Sequence, residues 1–189
     1  TVFPLAAKYG GLIVALTLDE SGIPKTAEGR YAVAEKILAE AEKYGIDKKD
    51  IIVDPLALTV SSDTKNALVT LKSIDLVKAM GLSTSLGVSN ISFGLPCREK
   101  INSAFFAAAL EHGLDCAIMN PFSQGMMDTY YAFNVLHNMD TACGNFIEYA
   151  NSETKGVPQE TQLKTNVKDL KYAVEKGMKK LAVDTAKQL

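Results

Sequence analysis

Residues 85–105 read SLGVSNISFGLPCREKINSAF, and the fold turns on how this stretch changes character. A short apolar strand, TSLGV, gives way to Ser89 and Asn90, then to a small polar loop, Pro96 and a helix carrying Arg98 in its first turn. Proline suits a helix start, because the first amide hydrogens of a helix have no helical acceptor in any case. A buried strand that ends in a serine and an asparagine must satisfy those polar groups with neighbouring backbone or with a ligand.

The same pattern recurs on either side. GLIVALTLDE ends at Asp19, DIIVDP at Asp54, TSLGVSN at Asn90 and DCAIMNP at Asn120, at intervals of about 30 to 36 residues. Helical patterns fill the intervals. Residues 27–44 place Tyr31, Ala34, Leu38 and Ala41 on one stripe, with Thr26 as N-cap and Gly45 past the end. Residues 63–80 place Leu68, Leu71, Ile74 and Val77 on a stripe between Asp63 and Gly81. Residues 97–112 follow Pro96, carry Ile101, Phe105 and Ala108, and stop at Gly113.

Strands that are apolar throughout, each followed by a helix, predict an α/β protein with a parallel sheet covered by helices. A doubly wound open sheet and a TIM-type (β/α)8 barrel both have this pattern. The polar strand ends favour the barrel, whose site gathers residues from the C-terminal ends of several strands. An open sheet would more often carry a glycine-rich phosphate loop, and the sequence has neither G-x-G-x-x-G nor a Walker motif. Four units make half a barrel, and FPLAAKYG before the first strand reads as the end of a helix. The expectation is therefore the C-terminal half of a barrel over residues 1–150, a linker at 151–160, and a helical segment at 161–189 with Leu163, Val167, Leu170 and Val174 at helical spacing.

The bulk numbers exclude several classes. With 189 residues, 47% hydrophobic and 22% charged, the chain has the composition of a globular protein. A net charge of −2 leaves no basic footprint for nucleic acid. No apolar run reaches the roughly 18 residues of a membrane span and no signal peptide opens the sequence, so a cytoplasmic protein without a membrane partner is expected. Cys97, Cys116 and Cys143 form no C-x-x-C pair and read as reduced thiols, while His112 and His137 are too scattered for a metal site. Asn90-Ile-Ser92 matches the glycosylation pattern, which carries no weight without a secretory signal.

Two carboxylates and two carboxamides at one mouth suit a flat heterocycle with donors and acceptors along its edge. A carboxylate such as Asp54 can accept two parallel N–H bonds from an aminopyrimidinone, and a carboxamide such as Asn90 can follow a ring nitrogen whose protonation changes. Each residue has a plainer use as well. Asp54 before Pro55 suits a turn cap, Asn90 an Asx turn, Asp19 in DESG a solvated turn, and Asn120 before Pro121 a turn start. Arg98 sits where the helix dipole favours anions, so it calls for a ligand or a partner carboxylate.

IIVDPLAL, and LGVSNISFGLPCREKINSAFFAAALEHGLDCAIMNP after it, resemble the pterin-binding domain of cobalamin-dependent methyltransferases, the family of methionine synthase and the methyltetrahydrofolate corrinoid/iron-sulfur protein methyltransferase. The resemblance covers about residues 1–130, and GLIVALTLDESGIPKTAEGR is similar to the fifth strand and following loop of that domain. It implies that Asp54 holds the pyrimidine edge of a pterin, that Asn90 stands near N5, and that Arg98, Gly87 and Ser89 belong to the folate pocket, with Asp19 and Asn120 at further strand ends. It also implies methyl transfer from 5-methyltetrahydrofolate to cobalamin or another corrinoid on a separate domain or protein, with residues 161–189 as the start of a cobalamin cap. Two other expectations compete with this one. The chain could be a non-catalytic assembly fragment that needs a second copy, as a homodimer, to cover its open half core, or a dihydropteroate synthase-like enzyme.

Overall fold

The computed structural model describes residues 2–154. Its elements are α1 (Val2–Tyr9), β1 (Ile13–Leu16), α2 (Ala27–Lys43), β2 (Ile51–Asp54), α3 (Asn66–Ala79), β3 (Ser83–Leu86), α4 (Arg98–Glu111), β4 (Cys116–Ala117), α5 (Gln124–Leu136) and α6 (Gly144–Thr154). The four strands form one sheet in the order β1-β2-β3-β4, every pairing parallel. Sequence neighbours are thus sheet neighbours, each reached through a helix, which is the succession of a (β/α) barrel wall. The structure is of the α/β class expected.

Local chemistry accounts for the helix ends. The Thr26 hydroxyl accepts the Gly29 amide at 3.1 Å, capping α2, and Gly45 leaves that helix at φ +67°. Gly81 and Gly113 end α3 and α4 in the same left-handed conformation. The expected start of α3 is corrected. The helix begins at Asn66 rather than at residue 63, because Asp63 closes a turn first, its carboxylate accepting the Lys65 amide and its carbonyl the Asn66 amide.

The buried stripe of α3 also differs from the expected one. Leu68 is 71% exposed, whereas Thr70 and Ser73 are buried beside Leu71, Ile74 and Val77. Thr70 and Ser73 are cheap to bury because their hydroxyls donate to the carbonyls of Asn66 and Val69, at 2.9 and 2.7 Å.

Two apolar clusters hold the helices to the sheet. Ala15, Ala34, Ala41, Ile51, Val53, Val77 and Leu82 join α2 and α3 to β1 and β2. Leu71, Ile74, Leu86, Val88, Ile91, Phe105, Phe106 and Ala109 join α3 and α4 to β3 and the turn after it. Each fully buried large side chain, such as Ile74 or Phe106, is worth about 1.5–3 kcal/mol of transfer free energy.

Strand β1 is not covered on both faces by the described residues. The register pairs Val14 with Ile52 and Leu16 with Asp54, which puts these side chains on the face away from the helices, and there Val14 is 54% and Leu16 43% exposed. On β1, then, helices cover only one face.

A compact unit runs to Phe146, and a second begins at Ile147. Residues 151–154, expected as linker, are the last turn of α6. The rest of that linker and the segment 161–189 lie outside the described residues. No described helix is long and apolar enough to cross a membrane.

Candidate functional site

Parallel pairing delivers all four strands to one rim at their C-terminal ends. A cavity of about 270 Å³ opens there, lined by Asp54, Leu56, Ala57, Gly87, Ser89, Asn90 and Ile118. The structure thereby brings together Asp54, Gly87, Ser89 and Asn90.

Asp54 is the last residue of β2 and only 7% exposed. One carboxylate oxygen, Oδ1, accepts the Leu56 amide at 2.8 Å, so the turn-cap reading holds for half of the group. The other oxygen, Oδ2, has no hydrogen bond among the described residues and is not sealed from solvent. Burial raises the Asp54 pKa above the ordinary carboxylate value, and the Leu56 amide only partly offsets this. A site that supplies N–H donors to Oδ2 would relieve the same penalty.

Asn90 lies beyond the end of β3, in a 3-10 turn spanning Val88–Ser92. That corrects the expectation of a strand running to Ser89 and Asn90, since β3 stops at Leu86. The turn answers the opening question in part. Its backbone is satisfied locally, with the Asn90 amide donating to the Gly87 carbonyl and the Phe93 amide to the Asn90 carbonyl. The Asn90 carboxamide itself is exposed and has no partner among the described residues. Gly87 keeps room for it: the backbone there is at φ −74°, open to any residue, but an added Cβ would stand 3.0 Å from Asn90 Nδ2.

Arg98 is placed by a different partner from the one expected. Its Nη2 donates to the Ser89 carbonyl at 2.8 Å and its Nε to the Ser92 hydroxyl at 3.0 Å, so it faces the carbonyls of the preceding turn and not a carboxylate. This resolves the conflict with the helix dipole, because the C-terminal carbonyls of the 3-10 turn favour a cation. Arg98 does not line the cavity, and it braces the loop that does.

Asp19 and Asn120 stand apart from the cavity. Asp19 sits in a turn closed by Asp19–Gly22 backbone bonds, and its carboxylate accepts from the Ser21 hydroxyl and amide, which hold its pKa low. Asn120 Oδ1 accepts the Phe122 amide at 3.0 Å in a turn of its own. Only Asp54 is itself a strand residue; Asp19, Asn90 and Asn120 lie in the segments that follow.

Sequence reasoning missed Arg30. Its side chain is 0% exposed on the inner face of α2, donating from Nε to the Pro24 carbonyl and from Nη1 to the carbonyls of Pro55 and Leu56 and to the Thr70 hydroxyl. The available signal was its spacing, since position 30 falls on the same stripe as Ala27, Ala34 and Ala41. Leu56, Ala57 and Ile118 were missed too, and apolar lining residues carry no sequence mark that separates them from core.

The described histidines are engaged elsewhere: His112 Nδ1 with Asp75 at 2.8 Å and His137 Nε2 with Glu111 at 3.1 Å. Among the described residues no group of three or more His, Cys, Asp or Glu could hold a metal ion.

Parallel (β/α) units with a cavity at the C-terminal strand ends are the arrangement of a barrel-type α/β protein, a class whose sites lie in the βα loops. The sequence comparisons specify which. The pterin binding enzyme family matches residues 1–120, and the chain belongs to that family. It is 31% identical over 136 residues to the methylcorrinoid:tetrahydrofolate methyltransferase of Eubacterium limosum, covering 71% of this chain and 50% of that protein. It is 37% identical over 125 residues to the methionine synthase of Mycobacterium leprae (strain TN), covering 61% of this chain and 10% of that protein. The methionine synthase of Mycobacterium tuberculosis (strain ATCC 25618 / H37Rv) is 34% identical over the same length. The chain thus spans half of the first relative and a tenth of the synthases.

Proposed function

We propose that residues 1–150 supply the C-terminal half of a pterin-binding (β/α)8 barrel in a methyltransferase that moves a methyl group between N5 of a tetrahydrofolate and a corrinoid. The names of the relatives span both directions, methylcorrinoid to tetrahydrofolate in one and a methionine synthase in the others. In the methionine synthase-like direction the donor is 5-methyltetrahydrofolate.

The observation that carries this reading is the convergence of Asp54 and Asn90, each with an unengaged polar atom, on one cavity. At about 270 Å³ the cavity is just below the common range for ligand pockets, about 300–1,000 Å³, which suits the pterin head with the rest of the folate outside. Asp54 Oδ2 accepts N–H groups from the pyrimidine edge and orients the ring. The Asn90 carboxamide faces N5. When the N5–CH3 bond breaks, its electron pair stays on N5, which then needs a proton or a stronger hydrogen bond. Asn90 Nδ2 donates that bond, and it can accept from N5–H through its oxygen in the reverse direction, so the contact strengthens as charge changes.

The corrinoid belongs to another domain or protein in this proposal. When bound, it would supply the nucleophilic metal for the methyl group. Arg98 serves the site by holding the Ser89 carbonyl and with it the Asn90 turn. Asp19 and Asn120, on the loops after β1 and β4, are left for the outer parts of the folate.

The test is titration of 5-methyltetrahydrofolate into the intact protein and into its Asp54→Asn and Asn90→Ala variants. Weaker binding in the first and slower methyl transfer in the second are expected. An Asp54→Asn variant that binds folate as tightly as the parent overturns the reading.

A further inference from the structure

Among the buried groups with no assigned role, Arg30 stands out. Its guanidinium is sealed from solvent, has no carboxylate within ion-pair distance among the described residues, and leaves Nη2 without a hydrogen bond. Burying a charge on these terms is a poor way to stabilise a fold, since desolvation is costly and the neutral carbonyls return only part of it. Burial accordingly depresses its pKa, although an arginine remains protonated.

What the guanidinium grips is specific. Three of its four contacts fall on the turn after β2 and the helix that follows it: the carbonyls of Pro55 and Leu56, at 3.0 and 2.8 Å, and the Thr70 hydroxyl at 3.2 Å. Leu56 is a non-glycine residue at φ +63°, a conformation that costs about 1–3 kcal/mol and persists only where its surroundings impose it. The same residue donates its amide to Asp54 Oδ1. Arg30 therefore holds the carbonyl side of Leu56 while Asp54 holds the amide side. Arg30 also holds the Pro55 carbonyl, which shares a peptide plane with that amide, so letting go of both carbonyls frees the peptide that aims the carboxylate.

We propose that Arg30 is a positioning residue for Asp54, clamping the strained Asp54-Pro55-Leu56 turn so that one carboxylate oxygen stays bound to the Leu56 amide and the other faces the cavity. Arginine suits this task because its planar fork can serve two consecutive carbonyls from one nitrogen and reach α3 and the Pro24 carbonyl as well. A lysine has only a point charge to offer.

The inference rests on the reading of Asp54 as a pterin ligand, so its test is a double-mutant cycle in the intact protein, with 5-methyltetrahydrofolate affinity and melting temperature read for each variant. Arg30→Lys is expected to weaken folate binding roughly tenfold in the parent and less than about twofold in the Asp54→Asn background, because coupled residues are not additive. A merely structural role would lower the melting temperature in both backgrounds and weaken binding equally in both, which overturns the proposal. Should Arg30→Lys fail to fold, Thr70→Val removes one partner of the guanidinium while keeping the side-chain shape. It is expected to weaken binding in the parent and not beside Asp54→Asn, and equal effects in both would overturn the proposal too. If Asp54→Asn alone leaves affinity unchanged, the pterin reading fails. If Asp54→Asn weakens binding and Arg30→Lys does not, only the clamp fails.

Discussion

Asp54 and Asp115 stand at opposite ends of the same sheet and receive opposite treatment. Asp115, at the N-terminal end of β4, accepts the Thr84 amide at 2.7 Å and the Thr84 hydroxyl at 3.1 Å, and both its oxygens take Lys78 Nζ at 2.8 Å. Desolvation pushes its pKa up, but Lys78 and Thr84 together outweigh it and the net shift is downward. Asp54, at the C-terminal end of β2, has one oxygen bound, the other idle, and a pKa raised by burial. A carboxylate that is fully answered stabilises the sheet. One held half-answered in a cavity, at a cost to the fold, is the kind of group that functional sites carry. The contrast follows the division of labour in barrels, with stability at the N-terminal ends of strands and chemistry at the C-terminal ends.

The largest effect that would sharpen this comparison is at the chemical end. Asn90→Ala is expected to slow methyl transfer by about 10²–10³-fold, the cost of losing one preorganised donor, with little change in melting temperature because the carboxamide supports no described residue. Single-turnover rates decide it, and a rate within a factor of two or three of the parent breaks the assignment.

Next comes Asp54→Asn. Loss of a charged acceptor should weaken folate binding by about 10–100-fold, or roughly 1.5–3 kcal/mol. Its stability should hold or rise at neutral pH. A raised folded-state pKa means that the stability linked to this group is fully present below the ordinary carboxylate pKa and is lost as pH rises through the folded value. The amide is free of that penalty, so any gain in melting temperature over the parent should vanish in acid.

Asp115→Ala should do the reverse. It is expected to lose about 1–2 kcal/mol of stability, after allowing for the partial exposure of the Lys78 pair, and to leave folate affinity alone. Here the folded-state pKa is lowered, so the stability is present above the ordinary carboxylate pKa and disappears as pH falls through the folded value. Melting curves across pH 2–7, approximately the carboxylate titration range, should therefore converge for parent and variant at the acid end. If Asp115→Ala weakened folate binding as much as Asp54→Asn does, the two ends would not be functionally distinct.

The smallest effect is expected from Gly87→Ala. The backbone accepts alanine at φ −74°, so stability should change little, but the Cβ at 3.0 Å from Asn90 Nδ2 must displace the carboxamide. A misplacement of a few tenths of an ångström should slow transfer by roughly three- to tenfold without altering folate affinity much.

Much of this was legible in the chain itself. Strand–helix alternation, the parallel sheet and the glycine stops at residues 45, 81 and 113 followed from periodicity and turn chemistry, which set Asp54 and Asn90 at one mouth but wrongly set Asp19 and Asn120 there with them. The failures share a cause. Leu68 was assigned to the core and Thr70 and Ser73 were not, because a hydrophobic stripe cannot register hydroxyls that satisfy themselves on backbone carbonyls. Arg98 was expected to meet a ligand or a partner carboxylate, although the groups it reaches are the Ser89 carbonyl and the Ser92 hydroxyl of a turn whose 3-10 form was not foreseen.

Order along the chain, then, determined the fold class and the order of the strands, because apolar periodicity and helix caps act through neighbours a few residues apart. Which polar side chains are answered and which are left waiting was decided only in three dimensions. Asp54 and Asp115 are the same residue type, one beside a proline and the other beside a cysteine, and nothing local separates their fates. Beyond the local bond from Leu56 to Asp54, their difference lies in Lys78 and Thr84, which answer Asp115, and in Arg30, which holds the turn after Asp54, groups from other strands and helices that arrive only once the sheet has paired and its helices have packed.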